Sequence, residues 1–420
     1  MLNSSIGFHT MTLFIRLDKN DIRKLITHFK KYSNETGLIK MYYEDNGQQG
    51  FTFEDGKTII YNKQDLKIIY YNEYRGIDWT IRSNDLSKDF KEYTVEVKIN
   101  PKILGGIRDY ITAATYDDID AAISNFNTEV KKISPLLGNF KMYSIKRIDY
   151  CLNFDLAELT PGCTSEQIMS LIRRGNIPKH YKEPYDKVSH RTKSKPGSFY
   201  LKSQSVNINC YSKYMELQER SKKLIRVGQP PVSQEVLDSA RNIIRFEVQC
   251  KYRKTYTLSS YAKQNGNYNT NKYEDLLNWL YCDDEIKYYY KKIIKMGDWY
   301  SLQEAIKIIE YHNFNKQKEC RLINALHIVN QCRSLAKAKE LYQGAELETF
   351  KKSLKDLAAL NINPVTIPKE WGIKHIPNLL GAFYDKRNDE MNKISIEKWN
   401  QQLLEGKNKY LDLYALRNNI

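Results

Sequence analysis

Apolar and polar positions alternate singly, the period of a β-strand, in four stretches of the chain. EYTVEVKINP sets Tyr93, Val95, Val97 and Ile99 against Thr94, Glu96, Lys98 and Asn100. YSIKRIDYCLNFDL puts Ile148, Tyr150, Leu152 and Phe154 on one row, and Arg147, Asp149, Cys151, Asn153 and Asp155 on the other. SVNINCYSKY separates Val206, Ile208 and Cys210 from Asn207, Asn209, Tyr211 and Lys213. IIRFEVQCKY separates Ile244, Phe246, Val248 and Cys250 from Arg245, Glu247, Gln249 and Lys251. Helical spacing replaces this period at 18–32, at 164–174, from about Ser233, and in TYDDIDAAISNFNTEVKKIS, where Thr115 or Asp117 is the cap. From about Lys272 onward nearly everything reads as helix, until Pro364 and Pro368 stop the pattern.

These elements predict an α+β fold: an antiparallel or mixed sheet with helices packed on one face. A small α+β N-terminal region takes 1–90, the sheet domain that carries the chemistry 91–255, and an all-helical region 256–420. The short basic helices of the last region suit a helix-turn-helix reader of DNA and an ordinary helical bundle equally well. No apolar run approaches the ~20 residues that cross a bilayer. The first residues, MLNSSIGFHTMTLFIRLDKND, make a poor signal peptide, with no basic segment before an apolar core. Seven cysteines without a CxxC pair read as buried thiols in a reducing cytoplasm, which is the expected location.

Charge narrows the picture. Sixty-six Lys and Arg against fifty Asp and Glu give +16, a balance whose commonest partner is nucleic acid. The excess is concentrated: 171–226 holds 14 basic and 4 acidic residues. Much of it falls in the loop RRGNIPKHYKEPYDKVSHRTKSKPGS. A solvated loop would account for the composition; phosphate binding by a basic loop beside a working face accounts for its concentration. Arg173, Arg174, Lys179, Arg191, Lys193 and Lys195, with Lys202 and Arg147 on strands, are the candidate DNA contacts.

The polar rows of three strands are the unusual feature. One sheet face in water would be polar in any case, but such faces favour Thr, Lys and Glu. Asp149, Asn153, Asp155, Asn207 and Asn209 are residues that strands disfavour. Carboxylates on two strands, Asp149 and Asp155 on one and Glu247 on another, offer oxygen ligands to a hard cation. Mg²⁺ or Mn²⁺ is the expected ion, because the face has no histidine and one thiol. A tyrosine beside a metal in a basic protein suggests phosphoryl transfer. The Tyr211 phenol would attack a DNA phosphate, with a base or a cation to offset its ordinary pKa near 10, and Lys213 would stabilise the developing charge. With 32 tyrosines in the chain, most serve packing; Tyr211 stands out by its row and by the spacing Y-S-K-Y-M-E. Tyr214 and Tyr200 remain alternative nucleophiles, Tyr214 ranking second because a regular strand would place it on the apolar row. The seven histidines are isolated and do not form a two-histidine metal motif.

RIDYCLNFDL, NCYSKYMEL and IIRFEVQCK, in that order, resemble the replication initiation factor (Rep_trans-like) family of rolling-circle replication initiators and relaxases from Gram-positive plasmids, phages and integrative elements. That family carries an R-x-D strand, a Y-x-K-x-x-E strand and an R-x-E strand, and the resemblance covers about 90–255. It implies origin binding, a metal-dependent single-strand nick by tyrosine, and rolling-circle replication or conjugal transfer. Carried over residue by residue, Asp149 and Glu247 become metal ligands and Tyr211 the nucleophile. Arg147, Lys213, Glu216 and Arg245 become supporting groups around the phosphate, with Asn209 beside them. PGSFYLKSQS is only a loose counterpart of the family's glycine–serine turn. The implied partners are DNA, single-stranded at the nick, and a host helicase recruited afterwards. A homodimer is compatible with the sequence, and no membrane partner is expected. Two rival readings are a DNA-binding protein of this fold that does not nick, and a single-strand binder that stacks bases on tyrosines.

Overall fold

Asp18 shows how tightly local signals set the elements here. Its carboxylate accepts the amide hydrogens of Asn20 and Asp21, each at 2.8 Å, and so caps the first helix. The computed structural model describes residues 5–52, 58–71, 75–83, 92–107, 111–186, 191–192, 197–226, 228, 230–264 and 273–391. Its elements begin with β1 (Ser5–Asp18), α1 (Lys19–Thr36), β2 (Ile39–Thr52), β3 (Thr58–Tyr70), β4 (Ile77–Ser83), β5 (Glu92–Ile99), α2 (Pro101–Leu104) and α3 (Tyr116–Ile133). There follow β6 (Ser144–Asp155), α4 (Leu156–Leu159), α5 (Ser165–Arg173), β7 (Tyr185–Asp186), β8 (Arg191–Thr192), β9 (Ser198–Lys202), β10 (Val206–Ser212), α6 (Lys213–Arg226), α7 (Gln234–Ser239) and β11 (Ile243–Cys250). The last stretch holds α8 (Tyr252–Gln264), α9 (Tyr273–Leu276), α10 (Trp279–Ile293), β12 (Trp299–Tyr300), α11 (Leu302–Tyr311), α12 (Lys316–Cys332), α13 (Leu335–Glu340), α14 (Gly344–Ala359), β13 (His375–Ile376) and α15 (Leu379–Met391).

Two compact units interleave along the sequence. One comprises Gly7–Tyr150 and Gln249–Cys282; the other comprises Met1–Ile6, Cys151–Val248 and Asp283–Ile420. The contacts divide the chain inside β6 and near the end of β11. A composition shift marks where one kind of element gives way to another, whereas a compact unit is defined by contacts between distant segments.

In the amino-terminal unit the strand order is β2-β3-β4-β5-β1-β6, and the pairings β2–β3, β3–β4, β4–β5 and β5–β1 are antiparallel. Alternation puts Ile77, Trp79 and Ile81 of β4 and Val95, Val97 and Ile99 of β5 in the core. There Trp79 meets Phe29 of α1 and Phe126 of α3, both with ring centroids 5.9 Å apart. Thr115 is the residue that precedes α3, its amide donating to Asp118 at 2.6 Å.

In the carboxyl-terminal unit the order is β6-β11-β10-β9, with β10 and β9 antiparallel. The apolar row is packed under helices as the alternation predicts. Phe154 lies 5.9 Å from Tyr290 of α10 and 6.5 Å from Phe383 of α15, and Phe246 lies 5.7 Å from Tyr290. Among the described residues no helix is long and apolar enough to cross a membrane. Cys151, Cys210, Cys250 and Cys282 are buried thiols; Cys320, on the outer side of α12, is exposed, contrary to the expectation for the whole set.

Candidate active site

The strand that carries Tyr211 is held by a hairpin whose register is explicit. Asn207 faces Lys202, Asn209 faces Tyr200, and Tyr211 faces Ser198. Cross-strand partners share a face, so Tyr200 belongs to the polar face; its hydroxyl accepts the Asn207 amide at 3.0 Å. Just before β9, Gly197 sits at φ +68, and a Cβ there would come within 2.1 Å of the Met215 sulfur. Only glycine meets both conditions without strain.

The strand stops earlier than its alternation suggests. Lys213 opens α6 because K-Y-M-E-L-Q-E-R is a run of good helix formers, and the Ser212 hydroxyl accepts the Met215 amide at 3.5 Å. Lys213 nevertheless keeps the expected company. Its buried ammonium donates to Glu216 at 2.7 Å and lies 5.8 Å from the centre of the Tyr211 ring. Tyr214, expected on the apolar row of a strand, is instead in the first turn of α6, half-buried, with the Arg241 guanidinium 5.1 Å from its ring centre.

Tyr211 is 8% exposed and donates its hydroxyl hydrogen to Glu247 Oε1 at 2.6 Å. Burial, and then the Glu247 charge, hold the phenol well above its ordinary pKa, while the Arg245 guanidinium pulls the other way. Arg245 is fully buried. Burial opposes its charge, but the groups around it, Tyr211, Cys151, Glu247 and Glu216, keep it firmly protonated. Its Nε donates to Asn153 Oδ1 at 2.7 Å. Burial, with Arg245 adding repulsion, pushes the Lys213 ammonium down to about 8, against the pull of Glu216. The result is a phenol already on a carboxylate, beside one fixed cation and one titratable cation. Asn153 is visible in the sequence as a member of the polar row but not as a functional residue; the signal is a strand long enough to be buried that places an amide opposite an arginine. Asn209 is half-buried on the same face.

The polar rows are therefore not a wet surface. Asp149, Asn153, Asp155, Arg245 and Glu247 are all buried. In the amino-terminal unit Asp149 is held by the Arg147 fork, whose Nε donates to Oδ1 at 2.7 Å and whose Nη2 reaches Oδ2, and by the Thr10 hydroxyl. Nη2 also donates to Thr10 at 3.0 Å, so the charge of Arg147 is spent on Asp149. Asp155 caps α4, its carboxylate accepting the Ala157 amide at 3.0 Å. Among the described residues no three His, Cys, Asp or Glu side chains gather as a metal-binding group. With Asp149 saturated by Arg147 and Thr10, Glu247 bonded to Tyr211, and Asp155 at a helix cap, the oxygens as arranged do not fit a cation cage, and no chemical step is derived through one.

This geometry can be set beside known proteins. Residues 74–269, just under half of the chain, match the Phage_CRI family, described as the N-terminal part of a replication-associated protein. Over this region the chain is similar to a family of replication-associated proteins. The match includes Asp149, Tyr211, Lys213, Arg245 and Glu247. Among solved structures, a rolling circle replication initiator protein from Geobacillus stearothermophilus aligns over 61% of this chain and 78% of its own at 9% identity and a TM-score of 0.24, an overlap too loose to argue from. No curated protein matches the chain.

Among the described residues the basic candidates differ in exposure. Arg173 and Lys179 are exposed, and Arg174 is half-buried. Lys202 is exposed with its ammonium 5.5 Å from the Tyr200 ring centre. Arg191 lies on β8, paired with Asp186 of β7. Lys193 and Lys195 lie outside the described residues.

Proposed function

We propose that the protein initiates rolling-circle replication by binding an origin, nicking one DNA strand through Tyr211 and later rejoining it. The observation that carries the reading is the 2.6 Å hydrogen bond from Tyr211 to Glu247, with Arg245 and Lys213 beside the ring. A base within ordinary hydrogen-bond reach is what a phenol needs to act at neutral pH. The phenolic oxygen bonds to phosphorus as the bond from phosphorus to one sugar oxygen breaks. Glu247 takes the phenol's proton and returns it to the leaving oxygen, which ends as a hydroxyl. Arg245 and Lys213 stabilise the negative charge that gathers on the phosphate oxygens. The phosphotyrosine keeps the phosphodiester's energy for rejoining. Origin DNA that is single-stranded at the nick and a helicase recruited afterwards complete the proposal as the family resemblance implies; the dependence on Mg²⁺ or Mn²⁺ that it also implies requires Asp149 or Glu247 to leave the partner it holds here.

The test is a nicking assay on supercoiled plasmid carrying the protein's own gene and flanking DNA, with Mg²⁺ or Mn²⁺ and with EDTA. Open circles that carry covalent protein, lost with EDTA and in Tyr211→Phe, are the expected result. A second reading is favoured by the burial of Tyr211 and its raised pKa. It is a DNA-binding protein of this fold that does not nick. Tight, site-specific, salt-sensitive binding without any open circles would establish it.

A further inference from the structure

The end of α5 is docked by a set of polar ties onto two helices of the carboxyl-terminal unit. The Asn176 amide donates to the Ile293 carbonyl at 2.7 Å, and its side chain donates to the Lys292 carbonyl at 2.9 Å, so it closes the last turn of α10. Leu335 at the start of α13 donates to the Arg174 carbonyl at 2.8 Å. Between them Gly175 is pressed so close that a Cβ would lie 2.7 Å from the Ile293 carbonyl oxygen. This frame brings five cations together: Arg174, Lys292, Lys295, Arg333 and Lys339.

Their surroundings do not neutralise them. Among the described residues none of the five is ion-paired with a carboxylate; Glu370 acts on Arg174 only from a distance, and nearby Lys351 is paired with Glu348. The Lys339 ammonium donates to Asn176 Oδ1 at 2.8 Å, a neutral partner. Arg174 and Arg333 line one small cavity with Asn330, Ser334 and Thr366. Burial, then Lys295 and Lys351, push Lys339 down to about 8; burial, then Lys292, lowers Lys295; burial, then Arg333, lowers Arg174. Lys295 also has φ 76, a left-handed backbone that glycine adopts at less cost at a helix end. A helix C-terminus attracts a cation, which accounts for one lysine after α10 but not for the other four cations. Partly desolvated like charges of this kind are stabilised when an anion arrives.

We propose that this cluster is a phosphate subsite for the DNA backbone, built from residues other than those around Tyr211 and reading no sequence. Four of the five cations lie beyond the family-matched residues. The inference rests on the reading that the protein handles DNA. The subsite holds the duplex by charge while the tyrosine acts elsewhere on it.

The experiment measures affinity of the full chain for a labelled duplex of unrelated sequence across a salt series. Each phosphate contact contributes about 0.9 to the slope of log K against log salt. Lys295→Gln removes a charge without breaking an ion pair among the described residues, and it lowers the slope by about 1. Lys295→Gln combined with Lys339→Gln lowers it by about 2 and weakens binding on the order of tenfold at moderate salt. Lys339→Arg, which keeps the charge, retains the wild-type slope, whereas a merely structural tie to Asn176 would not distinguish charge from shape. Tyrosine-dependent cleavage of a short single-stranded oligonucleotide is unchanged in all three. Wild-type slopes in both glutamine variants overturn the subsite while leaving the nicking reading intact. A wild-type protein that binds no duplex even at low salt and does not cleave the oligonucleotide overturns both.

Discussion

Removing one oxygen from Tyr211 separates its two roles. Tyr211→Phe leaves the ring in place but removes its hydrogen bond to buried Glu247, at a cost of about 1–3 kcal/mol visible in the urea midpoint. Nicking is lost entirely. Glu247→Gln still accepts a hydrogen bond but no longer takes a proton, so the single-turnover rate falls by about 10²–10⁴ with the fold retained. Lys213 sets a pH limit. On the proposed mechanism its charge is needed at the phosphate, and its pKa is about 8, so cleavage is expected to decline as pH rises through about 8. Lys213→Arg, charged throughout, moves that decline to higher pH; an alkaline limb that does not move would exclude Lys213 from the reaction. The stability effect has the opposite sign. Because the folded pKa lies below the ordinary 10.5, the fold disfavours the charged form, and Lys213 contributes increasing stability from about pH 8 upward.

At the scale of elements, the apolar row holds the polar row in place. Phe154→Ala removes the ring that meets Tyr290 and Phe383, and costs about 3–5 kcal/mol by thermal or urea unfolding. Gly197→Ala costs about 1–2 kcal/mol from the left-handed backbone alone, more if Met215 cannot move aside. Much at this scale was legible in the amino-acid sequence. Alternation in 92–99, 144–155 and 243–250 depends on neighbouring residues only, and it separated the Asp149–Asn153 row from the Ile148–Phe154 row correctly. Three features were less accessible. Lys213 and Tyr214 look like strand by alternation, yet helix propensity prevails once the pairing with β9 has ended at Ser198. β1 shows in the sequence only as a poor leader, although it pairs with β5 over Met11–Asp18. And alternation cannot tell a wet polar row from a buried one, because the covering elements come from elsewhere in the chain.

For the molecule as a whole, the partition into two interleaved units was not legible, since it arises from contacts between segments far apart in the chain. The family likeness was more accessible than the partition: three short motifs in order resembled replication initiators, and the family match over 74–269 falls on the same strands. What the motifs could not supply is the local pairing that ranks the tyrosines, with Tyr211 on a carboxylate, Tyr214 under Arg241 and Tyr200 accepting from Asn207. The most direct measurement is therefore to trap the cleaved complex, digest it with trypsin and nuclease, and locate the nucleotide by mass spectrometry. Cleavage after Lys202, Lys213 and Arg220 separates Tyr211, the sole tyrosine of peptide 203–213, from Tyr214 in peptide 214–220. A phosphonucleotide on 203–213 is the predicted result. An adduct on 214–220, or a nicked substrate with no tyrosine adduct, would contradict the account.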